Sequence, residues 1–143
     1  MELKDIKSVY FIGAGGIGMS AIARYFIHKG LIVAGYDKTT TALTRALEHE
    51  GMILHYKDDV DQIPNACRDA KSTLVVFTPA IPSTHKELNF FRDNGFEVQS
   101  CEFVRIPNDT KKLTDEQRES VQKLIDRIEE DEDVQNVFTN MAD

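Results

Sequence analysis

The sequence predicts an α/β fold, a doubly wound parallel sheet followed by a C-terminal strand-helix-strand extension. Two observations support this prediction. Short apolar runs alternate with helical patterns through the first hundred residues, as is typical of parallel sheets with right-handed crossovers. After that the alternation stops, and the net charge changes from −1 for residues 1–100 to −6 for residues 101–143. We therefore expect two segments, residues 1–98 and residues 99–143.

The first segment consists of strands that alternate with helices. Within its first strand the residues Val-Tyr-Phe-Ile follow one another without polar interruption, which is typical of a parallel strand buried on both faces. Glycines end the helices, and prolines stop the fourth strand. The predicted strands are residues 8–12, 31–36, 52–55 and 73–78, and the predicted helices are 16–29, 40–50 and 83–94, the last capped by Ser83 or Thr84. We expect one helical turn in the polar stretch 57–72.

The second segment has a different pattern. One long strand is predicted over residues 96–106, a helix over 115–130 and a short strand over 134–139. Thr114 and Gln117 can form a capping box at the start of the helix. The helix carries one apolar stripe, formed by Val121, Leu124, Ile125 and Ile128.

The strongest motif lies between the first strand and the first helix. Residues 13–18 read Gly-Ala-Gly-Gly-Ile-Gly, a G-x-G-x-x-G turn in the context that the motif requires and that is typical of Rossmann-like domains. Gly13 permits the tight turn, Gly15 lets a diphosphate approach the backbone, and Gly18 lets the helix pack closely on the strand. The free amides at the helix start would then face the anion. The alternative is a tight turn that serves packing alone.

Two further segments are expected at the same edge of the sheet. Asp37 ends the second strand, 24 residues after Gly13, where a carboxylate can accept hydrogen bonds from ribose hydroxyls. Its alternative role is a capping or turn aspartate. Residues 78–81, Thr-Pro-Ala-Ile, end the fourth strand and could contact the same ligand, or could form only a strand-ending proline turn.

Composition argues against several other functions. A net charge of −7 argues against nucleic acid as a partner, because such binding depends on Lys and Arg that neutralise phosphates. With only Cys67 and Cys101, no disulfide framework is expected, which favours a reducing, cytoplasmic location. No apolar run approaches the roughly 20 residues that span a bilayer, so we expect no membrane association.

The sequence also lacks the usual patterns of catalytic sites. The four histidines have no metal-ligand spacing, and the acidic run 129–133 lacks the pattern of a calcium loop. Neither a nucleophile elbow nor a G-x-x-x-x-G-K-[ST] phosphate loop occurs. We therefore assign no catalytic residue and no metal site.

A family resemblance makes the glycine turn more specific. Residues 9–23, Val-Tyr-Phe-Ile-Gly-Ala-Gly-Gly-Ile-Gly-Met-Ser-Ala-Ile-Ala, resemble the opening of the Mur ligases, and in particular of the UDP-N-acetylmuramate:L-alanine ligases. Residues 35–37, Gly-Tyr-Asp, resemble the Gly-Ser-Asp of that family, and residues 78–81 resemble its Ser-x-Ala-Ile. The resemblance covers residues 1–98. It departs from the family at Tyr10, where many members have a histidine.

The resemblance implies a role in the synthesis of a peptidoglycan precursor for the cell wall. Residues 1–98 would bind the diphosphate of UDP-N-acetylmuramate at the glycine turn, without turning the substrate over. ATP and magnesium belong to other domains of the full-length ligases, which could act in trans, and no cofactor is expected in this chain. The implied UDP-binding residues are Gly13, Ala14, Gly15, Gly16, Ile17, Gly18, Met19, Asp37, Thr78, Pro79, Ala80 and Ile81.

Residues 99–143 carry a second resemblance. Residues 100–108, 124–129 and 133–138 resemble the C-terminal end of the YebC-like transcription or translation regulators, where the segment belongs to a ferredoxin-like subdomain. Two resemblances that meet near residue 98 suggest a chimera or gene fusion. Two other functions remain open: an NAD-binding regulatory Rossmann module, and a regulator fragment that acts through the C-terminal tail.

Overall fold

Five parallel strands form one sheet in the order β3-β2-β1-β4-β5. The structure is a computed structural model that describes residues 2–102, 105–131, 133–134 and 136–142. The strands are β1 (Ser8–Ile12), β2 (Ile32–Tyr36), β3 (Ile53–His55), β4 (Thr73–Phe77) and β5 (Glu97–Ser100). The chain divides into two units, Met1–Phe103 and Val104–Asp143, and the sheet lies within the first. The predicted α/β class is confirmed.

Three helices connect the strands of this unit: α1 (Ile17–His28), α2 (Ala42–His49) and α3 (Lys86–Asp93). Thr41 caps α2 through a capping box with Thr44. The cap of α3 is His85 rather than Ser83 or Thr84, and its Nδ1 accepts a hydrogen bond from the amide of Leu88 at 3.4 Å. Two short 3₁₀ turns, Val60–Gln62 and Asn65–Cys67, stand where one helical turn was expected.

The core has two layers because successive residues of a strand point to opposite faces of the sheet. Val9 and Phe11 of β1 pack on one face with residues of α1 and α2, whereas Tyr10 and Ile12 pack on the other face with residues of α3. All five residues of β1 are buried. The central position of this strand explains why residues 9–12 are apolar without interruption.

The strand predicted over residues 96–106 ends early. Its β5 portion pairs with β4 in parallel register, and the last pair is Phe77 with Ser100. Of the described residues that follow in the predicted strand, only Cys101 bonds to β4, through its amide and the carbonyl of Phe77 at 2.8 Å. The β4 ladder stops there because β4 ends at Phe77, and residues 103–104 of the predicted strand lie outside the described residues.

The second unit is built on α4 (Asp115–Glu129), which begins with the predicted capping box of Thr114 and Gln117. The strand predicted over 134–139 is not formed by its described residues, 134 and 136–139. An isolated parallel bridge joins Lys111 to Met141 instead. The apolar stripe of α4 borders an open groove of about 510 Å³, lined also by Ile106 and Phe138.

Candidate functional site

The loops that follow β1, β2 and β4 meet at the carboxyl edge of the sheet. The amides of Gly13 and Ala14 donate to the carbonyl of Tyr36, at 2.8 and 3.1 Å. Gly13 has a φ of +89°, and a Cβ atom there would lie 2.4 Å from Cγ2 of Thr78. This position therefore requires glycine both for its backbone conformation and for the close approach of the third loop.

Asp37 is held by the glycine turn. Its Oδ2 accepts a hydrogen bond from the amide of Gly15 at 2.7 Å, and its Oδ1 accepts one from the amide of Thr39 at 2.9 Å. A Cβ atom on Gly15 would lie 2.8 Å from Oδ2. The turn-aspartate role, the alternative to ribose binding, is therefore present in the structure. A carboxylate has about four acceptor positions, so two remain for other donors.

Four backbone amides at the start of α1 make no hydrogen bond to another described residue: those of Gly16, Ile17, Gly18 and Met19. The cap residue Gly16 offers no side chain to satisfy them. They lie at the positive end of a 12-residue helix, where the helix dipole and the free donors favour an anion. The arrangement can hold a phosphate group at residues 16–19, next to the part of the turn that Asp37 fastens.

The side chains of this segment divide into two groups. Ala14 and Met19 are buried in the core, so only their backbone borders the site. Ile17 is 79% exposed, although it is a large apolar residue. It is therefore available to contact the apolar part of a ligand.

The turn at 78–81 completes the edge. The amide of Thr78 donates to the carbonyl of Ile12, and the amide of Ile81 closes the turn on the carbonyl of Thr78 at 3.1 Å. Pro79 and Ala80 are exposed. The three predicted segments are thus neighbours, and the Gly13–Thr78 contact joins the first to the third.

Gly35, the residue before Tyr36, is a second position where a close approach of the backbone requires glycine. A Cβ atom on Gly35 would lie 2.3 Å from the carbonyl oxygen of Phe11 in β1. This position therefore excludes a side chain because β1 and β2 approach each other closely before the glycine turn begins.

Sequence reasoning missed a buried polar cluster beside this edge. Glu87 of α3 is fully buried; its Oε2 accepts from the hydroxyl of Tyr10 at 2.7 Å, and its Oε1 lies 2.6 Å from Nε2 of His55. The amide of Asp59 also donates to Oε1, at 3.0 Å. One signal was present: Glu87 stands four residues before Phe91 and so lies on the apolar face of its helix.

A second group of polar side chains lies next to this cluster. The carboxylate of Asp58 accepts hydrogen bonds from the amides of Lys86 and Glu87, at 2.9 and 3.1 Å, and so caps α3. Nδ1 of His85 lies 3.3 Å from Asp58, whereas its buried Nε2 has no partner among the described residues. The rings of His85 and Tyr36 are 4.6 Å apart at 63°, so the ring edge of one faces the other.

Burial and these carboxylates affect both tyrosines. Burial and the charge of Glu87 raise the pKa of Tyr10 far above its ordinary value. Burial, followed by the charges of Asp58, Glu87 and Asp37, raises the pKa of Tyr36. Both phenols are therefore neutral near pH 7, and that of Tyr10 acts as a hydrogen-bond donor to Glu87 rather than as an anion.

The described residues offer neither a metal cluster nor a membrane-spanning helix. No group of three or more His, Cys, Asp or Glu side chains in that part of the chain could hold a metal ion. None of its helices is both long enough and apolar enough to cross a bilayer.

One family model matches nearly the whole chain. The family model described as TACO1/YebC second and third domain matches residues 3–141. The chain belongs to this family. The match is wider than residues 99–143, where the sequence analysis found that resemblance, and its span includes the five-stranded sheet.

Several curated proteins that are similar to this chain in sequence are ligases. The UDP-N-acetylmuramate–L-alanine ligase of Phocaeicola vulgatus is 56% identical over 98 residues, which are 68% of this chain and 21% of that ligase. The ligase of the same name from Cytophaga hutchinsonii shows the same identity and coverage. The one from Christiangramia forsetii is 48% identical over 112 residues, 77% of this chain and 25% of the relative. The chain thus spans about a fifth to a quarter of the length of these relatives.

Solved structures agree on the fold. The UDP-N-acetylmuramate-alanine ligase of Thermotoga maritima matches 86% of this chain and 23% of its own, with a TM-score of 0.57 and 21% identity. The UDP-N-acetylmuramate:L-alanyl-gamma-D-glutamyl-meso-diaminopimelate ligase of Neisseria meningitides has the same TM-score and identity, and the match covers 66% of this chain and 28% of the ligase. The chain therefore contains a domain related to these ligases in sequence and fold.

Proposed function

We propose that residues 1–98 bind UDP-N-acetylmuramate as the substrate domain of a muramate-alanine ligase. One observation carries the proposal: the four amides at the start of α1 that have no partner among the described residues directly follow a turn that binds Asp37 and closely approaches Thr78. Identity of 56% to ligases named for this substrate supports the choice of ligand over other nucleotides.

The hydrogen bonds of the glycine turn separate the residues that shape it from those that would bind the ligand. The amides of Gly13, Ala14 and Gly15 are bonded within the chain, so they shape the turn rather than bind the ligand. The diphosphate would lie on the amides of residues 16–19, where the helix dipole stabilises negative charge. Asp37 would receive a ribose hydroxyl on the acceptor positions that Gly15 and Thr39 leave open. The turn at 78–81 would border the uridine or the sugar.

No catalytic residue is assigned to this domain. The resemblance implies that ATP and magnesium activate the muramyl carboxylate in other domains of a complete ligase. Such domains would act on substrate held here, whether in the same polypeptide or in trans. The domain's own contribution is to bind and orient the nucleotide end of the substrate.

The proposal also covers the origin of the tail. The TACO1/YebC model spans residues 3–141, and within that span residues 99–143 would be the part that derives from a TACO1/YebC-like protein. That part would have been joined near residue 98 to the ligase-related domain. The change in charge at this point and the separate unit beginning at Val104 support a fusion. The tail would then have no part in nucleotide binding.

Calorimetric titration of the full chain with UDP-N-acetylmuramate, UDP and NADH tests the ligand. We expect saturable binding of the first two and a raised Tm, because a ligand that binds only the folded state stabilises it. Binding of NADH alone would refute the proposal in favour of an NAD module. Binding of RNA at moderate salt without UDP binding would favour the regulator fragment.

A pair of substitutions at Gly16 tests the position. Gly16 has an ordinary φ of −71°, and a Cβ atom there would lie 3.8 Å from Met19, so a side chain fits. Gly16→Asp would cap the free amides with its own carboxylate and compete with the diphosphate, while keeping or raising the Tm of the unliganded chain. Gly16→Ala is the matched control without a charge. UDP binding that survives Gly16→Asp unchanged would place the ligand elsewhere.

A further inference from the structure

The cluster around Glu87 has a direct connection to the glycine turn. Glu87 binds the side chain of His55, which is the last residue of β3. The carbonyl oxygen of His55 accepts the amide of Asp37 at 3.2 Å. The carboxylate of Asp37 in turn accepts the amide of Gly15 at 2.7 Å. Three consecutive polar contacts therefore lead from a buried carboxylate in α3 to the turn in front of α1.

The position of β3 makes this connection important. β3 has only three residues and lies at the edge of the sheet, so backbone pairing holds it on one side through β2. Its first residue, Ile53, is 50% exposed. Only its last residue carries a side chain tied to the buried cluster, and Glu87 makes that tie with both partners almost completely buried.

We infer that Glu87 is a positioning residue, which holds His55 and thereby keeps Asp37 on the amide of Gly15. The part of this inference that concerns ligand affinity rests on the proposed function. Without the tie, the end of β3 and the Asp37 backbone would be free to shift. The carboxylate would then leave the glycine turn, and the free amides of residues 16–19 would lose their fixed direction.

Tyr10 provides an internal control. Its hydroxyl donates to Oε2 of Glu87, the oxygen opposite the one that contacts His55. The hydroxyl also lies 3.4 Å from Nε2 of His55, so Tyr10→Phe removes this longer contact together with the hydrogen bond to Oε2. It leaves the 2.6 Å contact between Glu87 and His55 in place. A purely structural role of Glu87 predicts that the loss of either partner has the same effect on the turn.

The experiment compares His55→Phe, His55→Gln and Tyr10→Phe in the full chain. Phe keeps a ring of similar size but cannot donate to Glu87, whereas the amide of Gln can. Hydrogen exchange at the Gly15 amide, measured by NMR without ligand, reports the turn directly. Calorimetric titration with UDP reports affinity, and Tm reports stability.

We expect His55→Phe to accelerate exchange at Gly15 and to weaken UDP binding by about tenfold, within the range typical of coupled sites. His55→Gln should restore most of both. Tyr10→Phe should lower the Tm but leave Gly15 protection and UDP affinity within about twofold of wild type. Equal effects of His55→Phe and Tyr10→Phe on Gly15, or none from His55→Phe, would overturn the inference.

The two proposals can fail separately. If the wild-type chain does not bind UDP but Gly15 exchange follows the expected pattern, the positioning role stands and the proposed function is wrong. If His55→Phe does not fold, the double variant Glu87→Leu/His55→Phe removes the buried charge together with its partner, an exchange that proteins tolerate better than removal of one partner. Fast exchange at Gly15 is expected there, and wild-type protection would again overturn the inference.

Discussion

The carboxylate of Asp37 and the amide of Gly15 are joined by a hydrogen bond of 2.7 Å between Oδ2 and N. This bond links the residue that follows β2 to the turn that follows β1. It gives Gly15 a reason to be glycine that does not depend on any ligand, since a Cβ atom would lie 2.8 Å from the same oxygen. The motif and the aspartate therefore form one structural unit.

Gly15→Ala should destabilise the fold much more than Gly16→Ala. At Gly15 the methyl group meets the Asp37 carboxylate, and such overpacking costs about 1–3 kcal/mol. At Gly16 it makes only ordinary contact with Met19, and the cost should stay below about 1 kcal/mol, the difference between Gly and Ala at a helix cap. Urea unfolding of both variants measures the difference. Equal losses would show that the Asp37 contact is not what restricts position 15.

Asp37→Ala should lower the free energy of unfolding by about 1.5–3 kcal/mol, the range for hydrogen bonds to a charged group. The substitution leaves the Gly15 and Thr39 amides without their acceptor. Asp37→Asn keeps one carbonyl oxygen and should recover part of the loss. Ala at the exposed Asp93, near the end of α3, is the control and should change stability little. Chemical denaturation of the three variants decides the point.

Stability should fall as the pH rises above 10. The folded state keeps the protons of Tyr10 and Tyr36 because their pKa values are raised, whereas the unfolded chain releases them near the ordinary value of 10.0. Their contribution is therefore complete below pH 10, and above it Tyr10 lowers stability by about 1.4 kcal/mol per pH unit. Tyr36 adds to this loss until the pH passes its own raised pKa. Unfolding free energies at pH 9, 10 and 11 give the slope.

Tyr10→Phe should reduce the slope of unfolding free energy against pH by the part that Tyr10 contributes. Tyr25→Phe, at a position 54% exposed, is the control for general alkaline effects. A slope that is the same in wild type and Tyr10→Phe would contradict the assignment of the buried proton to Tyr10.

Thr114→Ala should weaken α4. The Thr114 hydroxyl accepts the amide of Gln117 at 3.3 Å, and the Gln117 side chain accepts the amide of Thr114 at 3.1 Å. Removing the cap should cost about 1 kcal/mol, seen as faster hydrogen exchange along residues 115–129. Ser120→Ala is the control, because its hydroxyl only returns to the carbonyl of Glu116 within the helix. Unchanged exchange in Thr114→Ala would show that packing, not the cap, holds α4.

The sequence predicted those features that depend on neighbours along the chain. The apolar run 8–12, the turn at Gly13 and the capping box at Thr114 each carry their own signal within a few residues. The end of β5 is different, because it is determined by where β4 stops, and β4 lies more than twenty residues earlier. Local patterns therefore predicted that strand too long.

The same distinction applies to the site. Gly13, Asp37 and the turn at 78–81 were predicted together because parallel strands end at one edge of a sheet. Glu87 was not, since its partners Tyr10 and His55 are 77 and 32 residues away in sequence. A charged residue on an apolar helix face signals burial, but only the folded chain shows which groups satisfy it.

The contact between Gly13 and Thr78 restricts any attempt to redesign this domain. A Cβ atom at position 13 would lie only 2.4 Å from the methyl group of Thr78, so the loop after β1 and the loop after β4 must be complementary in shape. Transplanting the first loop from a protein of different ligand preference would bring a mismatch unless its counterpart after β4 were transplanted with it. A redesign of the ligand site must therefore replace the loop after β1 and the loop after β4 together.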